Sequence, residues 1–367
     1  MKELGPWLVH SNAFNFMSFI ENGVDPRTGQ YSLGIQLPEL IGNNLCGPRL
    51  PLRLNFSPMN DQDSGFGIGW ALNLSQFEIR ASMLSLGSGE RFKVSDNGPG
   101  VEPLIAERKL ESFHFHNESE PDQQRVRYRL VHKSGLVEVL EPQDNDRDIA
   151  LPVRVLAPSG HGLTLEYERD VDGPRLVRVS DDSGRDLLAI DYSSNHEVLL
   201  DLHPSDDPEV EPWARYTLSR NGADELTDVV LPTDEQASWH FEYQRFGNLR
   251  CVSRVDNPLG GTERVYYRTQ GHRFPPAADG LTRWLPNVER HVVQPGAGQP
   301  DMVTEYDYSP ENFLGYGGTG IVWRDDGLDN LYKLVGNRYQ YTSTARYRVP
   351  GEPDDAGNPT EVDARTI

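Results

Sequence analysis

"YERDVDGPRLVRVSDDSGRDLLAIDY" spans Tyr167 to Tyr192, and its reading decides the fold class. The stretch opens on a tyrosine, turns at Gly173, alternates through a strand headed by Leu176, turns again between Asp181 and Gly184, and closes on a second tyrosine. The tyrosines continue: Tyr167, Tyr192, Tyr216, Tyr243 and Tyr267 stand 25, 24, 27 and 24 residues apart. The units around them match. "LTLEYERDVDGPRLVRVSDDSG" from Leu163 and "SWHFEYQRFGNLRCVSRVDNPLGG" from Ser238 each carry a strand ending in Tyr and a turn glycine (Gly173, Gly247). Each continues with a Leu-headed strand (Leu176, Leu249), an Asp (Asp181, Asp256) and a second glycine (Gly184, Gly260). "RYTLSRNGADELTDVVLP" is a looser copy with Tyr216, Gly222 and Leu226. A period of this size signals a repeat architecture in which no unit buries its apolar face alone, so neighbours must stack. The tyrosine suits such a unit, its ring packing on the sheet while its hydroxyl reaches the polar edge.

The same period-2 pattern extends outward. In "RVRYRLVHKSGLVEVLEP" Val126, Tyr128 and Leu130 alternate with arginines, Lys133-Ser134-Gly135 turns the chain, and Val137 and Val139 begin the return, which is a β-hairpin signature. "FHFHNES" alternates at Phe113 and Phe115. No long 3.6-residue periodicity is present, and 27 prolines and 34 glycines favour short elements joined by turns. The chain reads as all-β.

With 35 basic and 56 acidic residues the formal charge of the 367-residue chain is −21, which disfavours nucleic acid and anionic membranes as partners. Cys46 and Cys251 are the only cysteines, so no redox motif or disulfide framework can be built; two scattered buried thiols are expected rather than one bridge. The N-terminus, "MKELGPWLVHSNAFNFMSFIENG", lacks a charged segment followed by a clean apolar core, and no apolar run approaches the roughly 20 residues of a membrane-spanning helix. The expectation is synthesis and folding in the cytoplasm, with any export through a dedicated machine and without a signal peptide.

Tyr, a Gly turn, Leu and then Asp-x-x-Gly or a near variant, near every 25 residues, resembles the YD repeat of the Rhs family, a repeat shared with Tc-toxin C components and teneurins. The literal dipeptide stands at Tyr306-Asp307 in "TEYDYSPENFLGYGG". The front of the chain is more specific. "FNFMSFIENGVDPRTGQYSLGIQLPEL" and "PLRLNFSPMNDQDSGFGIGWALNLSQ" resemble the N-terminal region of bacterial Rhs-type, Tc-toxin-like proteins, with a Gly-x-Gly-Trp-x-Leu element at Gly67, Gly69, Trp70 and Leu72. The resemblance covers most of the chain, strongly before residue 100. It implies an N-terminal β region over residues 1–110 and antiparallel hairpin repeats over 111–345 that form part of a spiral β-shell; residues 346–367, with "GEPDDAGNPTEVD", read as an acidic flexible tail. The function implied is structural: a non-enzymatic segment of a shell that encapsulates or delivers a C-terminal toxic effector. The implied partners are the remainder of the shell or a subunit on its open strand edge, a toxin cargo and a secretion machinery. The family's aspartyl self-cleavage segment is not matched; "DNPLGG" at Asp256 lies in a repeat turn, so autoproteolysis is not carried over.

Competing chemistry is thin. "GYGGTG" at Gly315–Gly320 has dinucleotide-fingerprint spacing, but "IVWRDDGLDN" follows it instead of a helix, so no cofactor is expected. His114 and His116 share a strand face without a third ligand nearby and read as solvent-facing. "DNDRD" at 144–148 and "DDGLDN" at 325–330 lack calcium-loop spacing and suit turns, so no metal is expected. A carbohydrate-binding β module or surface adhesin stays open as the alternative, with Trp70, Trp213, Trp239, Trp284 and Trp323 as candidate sugar platforms; Trp239 shares a strand face with Phe241 and Tyr243, which points to core or lining.

Overall fold

A computed structural model describes residues 22–120, 125–143, 146–170, 173–205, 207, 209–275, 282–317, 328, 329, 331, 338, 340–351 and 360–367. Among these residues the regular structure is β, with 3₁₀ turns at Asn43–Leu45 and Phe313–Gly315, so the all-β reading holds.

The leading segment makes two small sheets. β1 (Asn22–Val24) and β2 (Tyr31–Gln36) are followed by the two-stranded ribbon β3 (Leu40–Ile41) and β4 (Arg49–Leu50), then by β5 (Arg53–Phe56) and β6 (Trp70–Leu72). The four longer-range partners order as β1-β2-β5-β6. A meander follows: β7 (Gln76–Glu78), β8 (Met83–Ser85), β9 (Arg91–Ser95) and β10 (Leu104–Ile105).

The main ladder begins with β11 (Phe113–Asn117), β12 (Tyr128–His132), β13 (Val137–Gln143) and β14 (Asp146–Leu156). It continues through β15 (Gly162–Asp170), β16 (Gly173–Asp181), β17 (Asp186–Asp191), β18 (Glu197–Leu202), β19 (Ala214–Arg220) and β20 (Leu226–Val230). β21 (Ser238–Phe246), β22 (Leu249–Asp256), β23 (Thr262–Arg273), β24 (Trp284–Gln294), β25 (Met302–Tyr308), β26 (Ser343–Pro350) and β27 (Glu361–Thr366) complete it. Each strand from β11 to β26 pairs antiparallel with the next in sequence, and among the described residues β27 pairs with β26 alone, so the sheet is open. β14 is a fork: Ile149 and Ala150 pair with β7, while Arg154–Leu156 pair with β15 along the same edge.

Alternation explains the layers. In β11 Phe113 and Phe115 are buried and His114 is exposed, and Phe77, Phe115 and Tyr128 close into an aromatic cluster with centroids 4.8–5.4 Å apart. The hairpin at Lys133–Gly135 forms as expected, but with a difference in facing. Register sets Leu130 opposite Glu138 and Tyr128 opposite Leu140, so the inner face of β13 carries Glu138 while Val137 and Val139 are only half-buried. The Glu138 carboxylate is satisfied there by His132 Nε2 at 2.6 Å and Ser75 Oγ at 3.0 Å, as a buried carboxylate requires. The largest core joins the leading segment to the ladder, from Tyr31, Leu54 and Trp70 on one side to Leu165, Val198, Phe241 and Val288 on the other.

Candidate functional site: the seam between the leading segment and the hairpin array

Four of the five repeat tyrosines do one job. Tyr167 donates its hydroxyl proton to the Pro152 carbonyl (2.9 Å), Tyr192 to Leu176 (3.1 Å), Tyr243 to Leu226 (2.6 Å) and Tyr267 to Val252 (2.8 Å). In each case the acceptor lies two residues before the first rung of a ladder, at Arg154, Arg178, Asp228 and Arg254. The paired strands part at that point, and the tyrosine supplies the missing rung. Tyr167, Tyr243 and Tyr267 also follow directly on register slips, where a bulge sharpens the local twist. The expectation that these hydroxyls reach a polar edge is therefore corrected: they point inward, because a buried carbonyl without a partner is costlier than an ordered phenol. Burial raises the pKa of all four, so they keep their protons at neutral pH. Tyr216 departs from the pattern; its ring is buried opposite Leu200, and its hydroxyl makes no such bond. Each of Tyr167→Phe, Tyr192→Phe, Tyr243→Phe and Tyr267→Phe is expected to lower unfolding free energy by about 1–2 kcal/mol in denaturant titrations, and Tyr216→Phe by less than about 0.5.

The turn glycines sit where the hairpins reverse. Gly173, Gly184, Gly247 and Gly260 all have positive φ, and Gly260, at +85°, lies in the left-handed region that other residues avoid.

The leading segment crosses these splayed openings one after another. Asn43 N–H donates to Asp181 Oδ2 at 2.8 Å, and Phe66 packs on Tyr192 with centroids 5.9 Å apart. Ile68 N–H donates to the Asp224 carbonyl at 2.7 Å, beside Gly67, where a Cβ would stand 2.8 Å from the Leu226 nitrogen. Trp70 is wholly buried; its Nε1–H donates to the Tyr243 hydroxyl at 2.8 Å, and its ring contacts Phe56 and Phe241. Gly69, at φ +92°, has no room for a side chain against Phe56, and Leu72 packs half-buried on the same core. The Gly-x-Gly-Trp-x-Leu element thus wedges into the array at β20–β21.

Charges lock the seam. Asp63 takes N–H bonds from Gly65 (2.7 Å) and Gly67 (3.0 Å) on Oδ1 and pairs through Oδ2 with Arg220 at 3.2 Å, both side chains less than a tenth exposed. Next to it Glu225 accepts from Arg245 (2.7 Å) and Asn221 (2.9 Å); burial opposes its ionisation, and these donors outweigh burial and hold its pKa below the ordinary value. At the far end Tyr31 and His291 both meet Glu263 Oε2, at 2.9 and 2.8 Å.

The 25–30 turn docks on β23–β25. Gln30 Nε2 donates to the Pro286 carbonyl at 2.9 Å, Val288 N–H to the Gly29 carbonyl at 2.8 Å, and His272 Nε2–H to the Thr28 carbonyl at 2.9 Å. His272 is buried against Phe313, ring centroids 3.7 Å apart, and burial pulls its pKa from 6.5 to about 4. Its folded value lies below its unfolded one, so its contribution is complete above pH 6.5 and lost as pH falls toward 4. That span corresponds to about 3 kcal/mol. Stability measured between pH 7 and 4 is expected to fall by this order, and His272→Gln is expected to flatten the fall.

The remaining candidates are dispersed. His114 is exposed, its Nδ1 3.2 Å from Glu102, and stacks on His116 at 6.3 Å. Trp239 packs half-buried on the main core, Trp284 is half-buried opposite Arg273, and Trp213 is 87 % exposed. Trp70, wholly enclosed, is no sugar platform. Cys251 is buried and Cys46 exposed, both free, which corrects the expectation of two buried thiols; Cys46 ends the 3₁₀ turn at Asn43–Leu45, on the outside of the ribbon. Trp323, the end of "GYGGTG", most of "DDGLDN" and the middle of the acidic tail lie outside the described residues. Asp63, Arg220, Glu225, Glu263 and His272 carried no signal in the sequence, because each acts through a partner remote along the chain.

The structure defines an open antiparallel wall with an inner lining drawn from its own leading segment. No family model and no curated protein matches the chain. Solved structures similar to it include the N-terminal domain of the effector SpvB from Salmonella typhimurium strain LT2 (14% identity, 60% of this chain and 97% of that one, TM-score 0.34). The Photorhabdus luminescens Tc holotoxin pore (12%, TM-score 0.35) and TcdB2-TccC3 without its hypervariable C-terminal region (11%, TM-score 0.37) are similar over 94% of this chain. The chain spans 19% of the length of each of these two Tc chains.

Proposed function

We propose that this protein is a non-enzymatic structural segment of an Rhs/YD-type toxin shell, a wall that encloses or delivers an effector. The observation that carries the reading is the open end of the sheet. Met302, next to Val293 in register, and the paired Val349 and Val362, with Tyr347 beside them, are exposed apolar residues on the last three strands. The outer edge of β27 pairs with nothing among the described residues. Uncovered apolar face next to an unpaired strand edge suits a wall that continues into further strands. The shell is made in the cytoplasm and leaves by a dedicated export machine. An antibody against residues 1–100, used on the native host, is expected to detect this polypeptide within a hollow particle far larger than 41.3 kDa by blotting and electron microscopy. A free 41.3 kDa monomer would overturn the proposal.

One observation favours a second reading, a carbohydrate-binding module or adhesin: Trp213 stands clear of the surface, edge-on to His203 with centroids 5.4 Å apart. Glycan binding lost in Trp213→Ala would favour it.

A further inference from the structure

We propose that a cleft on the outer face of β23–β26 is a binding site for a neutral saccharide; the inference shares the glycan class with the second reading above and stands on the cleft itself, independently of Trp213. The cleft has a volume of about 530 Å³ and is made by irregular pairing. The β23–β24 register slips between Tyr266 and Tyr267 and again between Arg268 and His272, which dishes the sheet. The outer-face residues then converge. Tyr266 lines the cleft at 44% exposure. Arg268 donates to Asp307 Oδ1 at 2.8 Å, to Glu289 at 3.3 Å and to the Tyr306 carbonyl at 3.2 Å. Arg346 holds the other oxygen of Asp307, and Arg348 forks onto Glu305 at 2.8 and 3.0 Å.

The chemistry of the lining favours a ligand without net charge. Three arginines (Arg268, Arg290 and Arg346) and three carboxylates (Glu289, Glu305 and Asp307) line the cleft and cancel in charge, on a chain of formal charge −21. An anion meets the carboxylates, a cation meets the guanidiniums, and an apolar ligand strips water from both without replacing it. A polyhydroxylated neutral ligand fits. Its hydroxyls donate to the remaining lone pairs of Asp307 and Glu305 and accept from guanidinium N–H groups. Its C–H face lies on the Tyr266 ring. The ion pairs fix these planar groups before the ligand arrives, so little side-chain freedom is lost on binding.

The test is ligand-observed NMR titration of the full chain with cellohexaose, maltohexaose, chitohexaose and mannohexaose. At least one is expected to bind with a dissociation constant of about 0.1–1 mM, weak as befits an open cleft. Tyr266→Ala is expected to weaken it at least tenfold and Tyr266→Phe to restore it, while Trp213→Ala stays within about twofold. Thermal melts of the exposed Tyr266 variants separate lost binding from lost folding. Binding that ignores Tyr266→Ala but disappears in Trp213→Ala overturns the site and leaves the glycan reading standing. No binding of any of the four probes by the unaltered chain overturns both.

Discussion

Trp70→Ala is expected to lower the unfolding free energy by about 3–5 kcal/mol, the range for deleting a large buried aromatic. The indole is wholly enclosed, tilted against Phe56 at 5.4 Å and Phe241 at 5.0 Å. Its loss empties the junction between the leading segment and β21. It also removes the donor to the Tyr243 hydroxyl, which itself caps Leu226. Trp70→Phe separates the two effects, keeping most of the apolar contact and losing the hydrogen bond, and should cost about 1–2 kcal/mol. Guanidinium titrations monitored by circular dichroism read both. A loss below about 1 kcal/mol for Trp70→Ala would mean that the seam does not support the array.

Arg220→Met is the second large effect, about 3–5 kcal/mol, because it leaves the Asp63 carboxylate buried without its counter-charge. Asp63 still holds the Gly65 and Gly67 amides, so its charge cannot swing out to water without undoing the 63–67 turn. Adding Asp63→Asn to Arg220→Met is expected to recover part of the loss, since the amide oxygen still accepts from the glycine amides while no charge remains buried. The double-mutant cycle measures this coupling. Additive losses would show that the pair acts as two separate contacts.

What could be read from the sequence was what is local. Strand alternation at Phe113 and Phe115, the turn at Lys133–Gly135 and the tyrosine period are written in neighbouring residues, and each appears in the strands. The Gly67–Leu72 element was visible through its resemblance alone; that Trp70 meets Tyr243 depends on a contact 173 residues apart, which no local pattern encodes. The direction of the tyrosine hydroxyls is hidden from the sequence for a related reason. Strand alternation tells which face a ring takes, but not that the neighbouring ladder stops two residues short and leaves a carbonyl for it. Glu138 on an inner face is the same lesson in reverse, since its partners Ser75 and His132 come from different strands.

The docking of the 25–30 turn on β23–β25 has a consequence for biosynthesis. Gln30 and Pro286 are 256 residues apart, and Thr28 and His272 are 244 apart. At about 5–20 residues per second, a ribosome needs roughly ten to fifty seconds between making the two sides of that contact. Through most of that interval the apolar faces of β1 and β2 exist without the strands that bury them. The leading segment, made well before β23 and β24, thus waits longest for its final surroundings. Chaperone demand during synthesis should fall on the leading segment rather than on the repeats, which close hairpin by hairpin as they emerge.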